Sequence, residues 1–244
     1  MGDRLERLAA RVAALEPPSS AVLIAELGQW IRGVQLMVDR AAGPADLERI
    51  LALPRPPVWV RRDILPLKEA WEMAHGQAAM MEPLGEGVLL ELHWLMFRHR
   101  RPLAAGQLRS GPAPRLGRLA APPAAVVPPL LRDAMESVNY DEAQGSDAVL
   151  SGVRLFQRLV LLRPFAVGNL RLATAGANLV WLRQGYPWVM PQLSRARWLE
   201  MLEAGSGGVA PVLVDAWLDA LEAAVRRRSA GRSPEGGHAV TERN

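Results

Sequence analysis

The residues whose types and order could do chemistry lie together in one stretch, Leu162-Arg-Pro-Phe-Ala-Val-Gly-Asn-Leu-Arg-Leu-Ala-Thr-Ala-Gly-Ala-Asn-Leu-Val-Trp-Leu-Arg-Gln-Gly-Tyr-Pro187. It reads as a loop ending in Gly168-Asn169 that enters a helix with Leu172, Ala175, Leu179 and Leu182 on its core face. A helix start presents N–H groups without intrahelical partners at the positive end of the helix dipole, which makes it an anion site, and Arg171 in the first turn adds a full charge. The chemistry would be the holding of a phosphate by Gly168, Asn169 and Arg171. The same residues also suit a structural part, with Gly168 turning the backbone and Asn169 capping the helix.

Composition excludes several other chemistries. The 244 residues contain no cysteine, which removes disulfides, thiolate metal sites and thiol nucleophiles. His75, His93, His99 and His238 are scattered, so a zinc site of imidazoles is not expected. His93 lies in a helical pattern between Leu92 and Trp94 and reads as a structural, hydrogen-bonded histidine. Asp141 and Glu142 read as solvated acids in a loop before Gly145, with a helix cap at Ser146 or Asp147. All but one of the 29 basic residues are arginine, Lys68 being the exception, yet 25 acids leave a formal charge of only +4. A nucleic-acid partner would need basic residues gathered on one face with stacking aromatics between them. The densest groups, Arg98 to Arg101 around His99 and Arg226 to Arg228, each close a predicted helix, where cations complement the dipole; nucleic acid is disfavoured as a partner. Trp71, Trp94, Trp181 and Trp217 fall in helical stripes and are expected in the core.

The elements that must position these residues are helical. Leu5, Leu8, Val12 and Leu15 predict a first helix stopped by Pro17-Pro18, and a second runs from about Ala21 to Arg40. Leu47, Ile50 and Leu51 predict a short third helix. Residues 66 to 82 carry Leu67, Ala70, Trp71, Ala74 and Ala78 on one face, and Leu89 to Phe97 continue the same period. From Pro102 to Pro129, glycine and proline recur every few residues, leaving room for a short hairpin at most. Helical spacing returns at Leu130 to Val138, at Val149 to Val160, and in a stripe from Val209 to Val225; the polar tail after Arg228 reads as disordered. The charged N-terminus lacks the apolar run of a signal peptide. The most apolar stretch, Leu119 to Leu131, is broken by four prolines, short of the roughly 20 apolar residues of a membrane span. These features predict a soluble, cytoplasmic protein with no membrane partner.

In its order, the central stretch resembles the signature of the Fic (Fido) family, H-P-F-x-D/E-G-N-G-R-x-x-R followed by a Leu-rich helix and Gly-Tyr-Pro. Pro164, Phe165, Gly168, Asn169 and Arg171 match motif positions, and Leu182, Gly185, Tyr186 and Pro187 match the sequel. Upstream, Glu91 to Phe97 followed by Ala105 to Pro112 is similar to the family's helix and its Gly-x-Tyr/Phe/Trp-Arg turn, and the proline-rich stretch through Pro129 to the substrate-positioning flap. The resemblance covers roughly residues 66 to 228. It implies an all-α domain that binds nucleotide phosphates, most often to transfer AMP from ATP to a protein hydroxyl. In that chemistry the motif histidine takes the hydroxyl's proton and the motif acid holds Mg²⁺.

This sequence departs from the motif where the chemistry resides. Arg163 stands at the histidine position, and a guanidinium is no base near neutral pH. Val167 stands at the acid position, Leu170 replaces the second glycine and Thr174 the second arginine. A self-inhibiting helix of the family carries Ser/Thr-x-x-x-Glu-Gly/Asn; Ala78-Ala-Met-Met-Glu82-Pro83 is similar, making Glu82 a candidate inhibitory-helix residue that could reach Arg163 or Arg171.

The reading is an all-α, Fic-type helical domain with a short β-hairpin flap and an N-terminal helical extension, divided as residues 1–60, 66–228 and a tail at 229–244. Its expected function is that of a pseudoenzyme, impaired for AMP transfer and acting as a regulatory or protein-binding module with weak nucleotide binding. The alternative is a divergent protein adenylyltransferase or related phosphate-group transferase using ATP. ATP is the expected cofactor, Mg²⁺ lacks a motif ligand, a protein is the expected partner, and the oligomeric state is not set by these features.

Overall fold

The computed structural model describes residues 1–36, 53–205 and 208–230. The third predicted helix at Leu47 to Leu51 and residues 231–244 of the predicted tail lie outside the described residues. Among the described residues the architecture is all-α: α1 (Gly2–Ala13), α2 (Ser20–Leu36), α3 (Val58–Asp63), α4 (Leu65–Met80), α5 (Glu86–Phe97), α6 (Val127–Ala143), α7 (Ala148–Leu162), α8 (Asn169–Arg183), α9 (Arg195–Ala204) and α10 (Pro211–Ala230).

Helix α8 is the axis of the bundle, packed by α7, α4 and α5. The sequence predicts a single core face, but every residue from Leu172 to Trp181 is buried. Small residues permit this. A Cβ on Gly152 of α7 would stand 2.2 Å from Trp181 Nε1, so only glycine lets the two helices approach this closely. The Trp181 indole N–H then donates to the Ala148 carbonyl at 3.0 Å. At the next turn Gly176 faces Leu159 and Leu89.

Several boundaries differ from expectation. Helix α6 begins at Val127 rather than Leu130, because Pro128 and Pro129 fall in its first turn, where a missing N–H costs no intrahelical bond. It also runs on through Asp141 and Glu142, which are therefore helical rather than in a loop; Asp141 accepts from Ser151 and Arg154, and Glu142 from Arg183. The cap on α7 is Asp147, whose carboxylate accepts the Leu150 N–H at 2.9 Å. Val209 precedes α10 instead of joining its stripe, and α10 carries Ser229 and Ala230, assigned by the sequence to the tail; Ser229 Oγ donates to the Val225 carbonyl at 3.0 Å. Trp71, Trp181 and Trp217 are buried as predicted, but Trp94 is 43% exposed, with the Arg98 guanidinium 4.5 Å over its ring.

The N-terminal helices share the core through Leu5, Leu8, Leu27, Trp30 and Ile31. Ion pairs fasten them to α10: Arg4 donates to Glu222 at 2.6 Å, and Arg228 forks onto Glu26 at 2.7 and 3.0 Å. In place of the predicted hairpin, the segment between α5 and α6 holds one isolated antiparallel bridge, Leu116 to Leu119. Prolines 112, 114, 122 and 123 offer no N–H to extend it into a ladder.

Candidate functional site

The loop between α7 and α8 is built on a stack of rings. Phe165 is fully buried and lies flat on His93, centroids 3.8 Å apart, and His93 stacks in turn on Phe97 at 4.7 Å. The His93 tautomer follows from its partners. Nδ1 accepts the Gly106 N–H at 2.9 Å, so Nε2 carries the proton and donates to the Val167 carbonyl at 3.0 Å. Burial pulls its pKa down to about 4, so the ring is neutral and both nitrogens are occupied. This is the structural histidine the sequence predicts, and it has no lone pair left to act as a base.

Asn169 closes the loop from the other side. Its Oδ1 accepts the Phe165 N–H at 2.9 Å and its Nδ2 donates to the Phe165 carbonyl at 2.8 Å. The side chain is therefore spent inside the loop rather than presented to a phosphate, and the cap residue of α8 is Gly168, not Asn169. Gly168 has φ of 75°, and a Cβ there would lie 2.1 Å from Phe97 Cζ. The turn needs glycine both for its left-handed backbone and for the ring beneath it.

Arg163, in the histidine position, is 3% exposed and ends α7 in a left-handed conformation with φ of 45°. Its guanidinium reaches the proline-rich segment, donating to the carbonyls of Pro114 at 3.1 Å and Leu119 at 2.8 Å, while Nε has no partner. Arg109, 7% exposed, binds the same segment from behind: Nε donates to the Arg163 carbonyl at 2.7 Å, and the Nη atoms to Gly111, Pro122 and Leu162. Burial lowers the pKa of both guanidinium groups, and Arg109 lowers that of Arg163 further by repulsion. Sequence reasoning did not single out Arg109 as a site residue, although it ends the Gly-x-x-Arg turn at Gly106.

Above the α8 N-terminus opens a cleft of about 380 Å³. Arg100, Arg101, Arg115, Arg163, Arg171 and Arg195 line it, with an apolar wall that includes Leu116, Trp198 and Leu202. Among the described lining residues there is no Asp or Glu. Arg100 is paired, to Asp63 at 2.6 Å, and Arg171 lies 5.5 Å over the Phe97 ring. Arg100 and Arg101 come from the arginine group expected only to complement a helix end. Arg115 and Arg195 left no signal in the sequence, because tertiary packing alone brings them here.

The altered motif positions divide. Val167 and Leu170 line the cleft, so a divalent cation finds no carboxylate at the acid position. Thr174 is fully buried away from the cleft, its hydroxyl donating to the Leu170 carbonyl at 3.0 Å. Glu82 is not brought to the site. Helix α4 ends at Met80, ahead of it, and the Glu82 carbonyl accepts from Arg183 at 2.7 Å. Arg183 lies at the opposite end of α8, about 18 Å along the axis from Arg171 at the helical rise per residue. The predicted reach of Glu82 to Arg163 or Arg171 is thus corrected: the carboxylate is at the wrong end of the helix.

No family model matches the sequence. Among curated proteins, Protein adenylyltransferase fic-1 of Caenorhabditis elegans is 28% identical over 121 residues, which are 49% of this chain and 24% of that protein. The matched stretch thus spans about a quarter of the relative's length. Among solved structures, a Fic domain containing signaling protein from Bacteroides thetaiotaomicron superposes with a TM-score of 0.76 at 18% identity, covering 96% of this chain and 100% of the other. A fragment of Fic-1 from C. elegans gives 0.74 at 20% identity, covering 93% and 70%. IbpAFic2 covalently tethered to Cdc42 gives 0.58 at 16% identity, covering 90% and 68%. These structures establish the fold, and the curated match adds sequence similarity to it. With the α7–α8 loop, its following helix and the surrounding bundle all in the expected arrangement, the chain has the all-α Fic fold and is similar in sequence to a Fic-type protein adenylyltransferase.

Proposed function

We propose that the cleft binds a phosphate-bearing ligand, a nucleotide such as ATP in the first instance, while the AMP-transfer chemistry of adenylyltransferase relatives is impaired. One observation carries this reading: the cleft at the α8 N-terminus is lined by arginines and by no described acid, and the residue in the base position is an arginine held by two backbone carbonyls. Losing a positioned general base costs about two to four decades in rate. No described residue lining the cleft is an acid or a histidine that could replace it, and His93, outside the cleft, is neutral, buried and fully hydrogen-bonded. Residues 66–228 are then the Fic-like domain and 1–60 its helical extension.

The protein acts, on this reading, as a regulatory or protein-binding module. A Fic domain of the same fold has been captured tethered to Cdc42, which supports a protein as the partner class. The test is incubation with labelled ATP and Mg²⁺ or Mn²⁺, alongside calorimetric titration with ATP. Saturable binding with no labelled protein is expected. Label transferred to this chain or an added protein, and abolished by Arg171→Ala, would favour a divergent adenylyltransferase instead.

A further inference from the structure

Resting on the reading that the cleft holds a phosphate-bearing ligand, we propose that it takes a polyphosphate chain in its metal-free form, with arginines supplying the charge that a divalent cation would otherwise bring. The arginines converge from four parts of the chain: Arg100 and Arg101 after α5, Arg115 in the proline-rich segment, Arg163 and Arg171 at the loop–helix junction, and Arg195 at the start of α9. They meet where the first N–H groups of α8, a helix of 15 residues, point outward.

Two observations separate this cleft from a metal-using phosphate site. A hard divalent cation is held by oxygen ligands, carboxylates above all, and the described lining residues include no carboxylate; Asp63, which pairs with Arg100, is not among them. Part of the charge inside also has no described counter-charge. Arg101, Arg115 and Arg195 form no ion pair with a described carboxylate, and Arg163, although 3% exposed, keeps an unpartnered Nε. A cation added to this surround is repelled. Complexing Mg²⁺ also strips two negative charges from the ligand and weakens its attraction to the arginines. Guanidinium forks need no metal to grip phosphate oxygens, which they bind bidentately.

Calorimetric titration of the full chain with tripolyphosphate and with ATP, each in excess EDTA and in excess Mg²⁺, tests this. Both ligands are expected to bind about tenfold more tightly in EDTA at low ionic strength, the difference shrinking as salt is added. The exposed pair of changes Arg115→Ala and Arg195→Ala is expected to weaken the affinity in EDTA about tenfold. Affinity in Mg²⁺ equal to or greater than that in EDTA overturns the inference and leaves the phosphate-cleft reading standing. Binding of ATP without tripolyphosphate overturns it too, because the base and not the phosphate chain is then recognised. Failure of both ligands in both buffers removes the phosphate-cleft reading itself.

Discussion

At the C-terminal end of α8, Arg183 lies at the negative end of the helix dipole, meets the Glu142 carboxylate at 2.7 Å and donates to the Glu82 carbonyl at 2.7 Å. At the N-terminal end, Arg171 and the arginines around it sit at the positive end, where the dipole disfavours them, in a cleft with no described acid. The first arginine is neutralised by the fold and stabilises it. In the second group Arg101, Arg115 and Arg195 form no ion pair with a described carboxylate, positive charge gathered where an anion would be favoured. Burial sharpens the contrast, since Arg109 and Arg163 keep the proline-rich segment in place with backbone carbonyls alone and leave the cleft's charge intact.

Changes beneath and around the two ends should separate these roles. Gly168→Ala is expected to have the largest effect, about 3 kcal/mol or more of lost stability in chemical denaturation, because its Cβ would meet the Phe97 ring and its φ is left-handed. Asn169→Ala should cost about 2–3 kcal/mol by leaving the Phe165 N–H and carbonyl buried and unpaired. Both would show that the N-terminal end rests on a rigid scaffold.

Acid should reveal the same scaffold. His93 titrates near pH 4 in the folded chain and near 6.5 when unfolded, so between these values the unfolded state binds the extra proton. Stability should be unaffected by His93 above pH 6.5 and fall by about 2 kcal/mol on going down to pH 4.5. Denaturation curves across that range check it, and His93→Gln should flatten the slope.

The comparison itself is tested by arginine removal. Arg183→Ala should destabilise by about 1–2 kcal/mol, since its buried guanidinium pairs with Glu142. Arg115→Ala and Arg195→Ala together should change stability by less than about 0.5 kcal/mol, as exposed side chains without an ion pair. A stability loss at Arg115 and Arg195 equal to that at Arg183 would erase the distinction between the two ends.

The helical architecture was legible because apolar spacing at three and four residues is dictated by the helix itself, as at Leu5, Leu8 and Val12 or along α10. Misreadings occurred where a local rule met tertiary context. Pro128 and Pro129 look like breakers but fit a first turn, and Trp94 follows a core stripe but turns outward onto Arg98. At the site, residue order alone placed Arg163, Val167, Gly168 and Arg171 together. It misjudged Asn169, whose amide serves Phe165, and Glu82, which follows the end of α4 and whose carbonyl meets Arg183 at the other end of α8. Arg115 and Arg195 were invisible because neither is near the motif in sequence and no periodicity marks them.

The most direct test is a crystal structure of the chain grown with ATP in the presence of EDTA. The account predicts phosphate density at the α8 N-terminus against Arg171, Arg115 and Arg195, with Arg163 still donating to the Pro114 and Leu119 carbonyls. An Arg163 guanidinium swung into that space, with no phosphate bound, would contradict it.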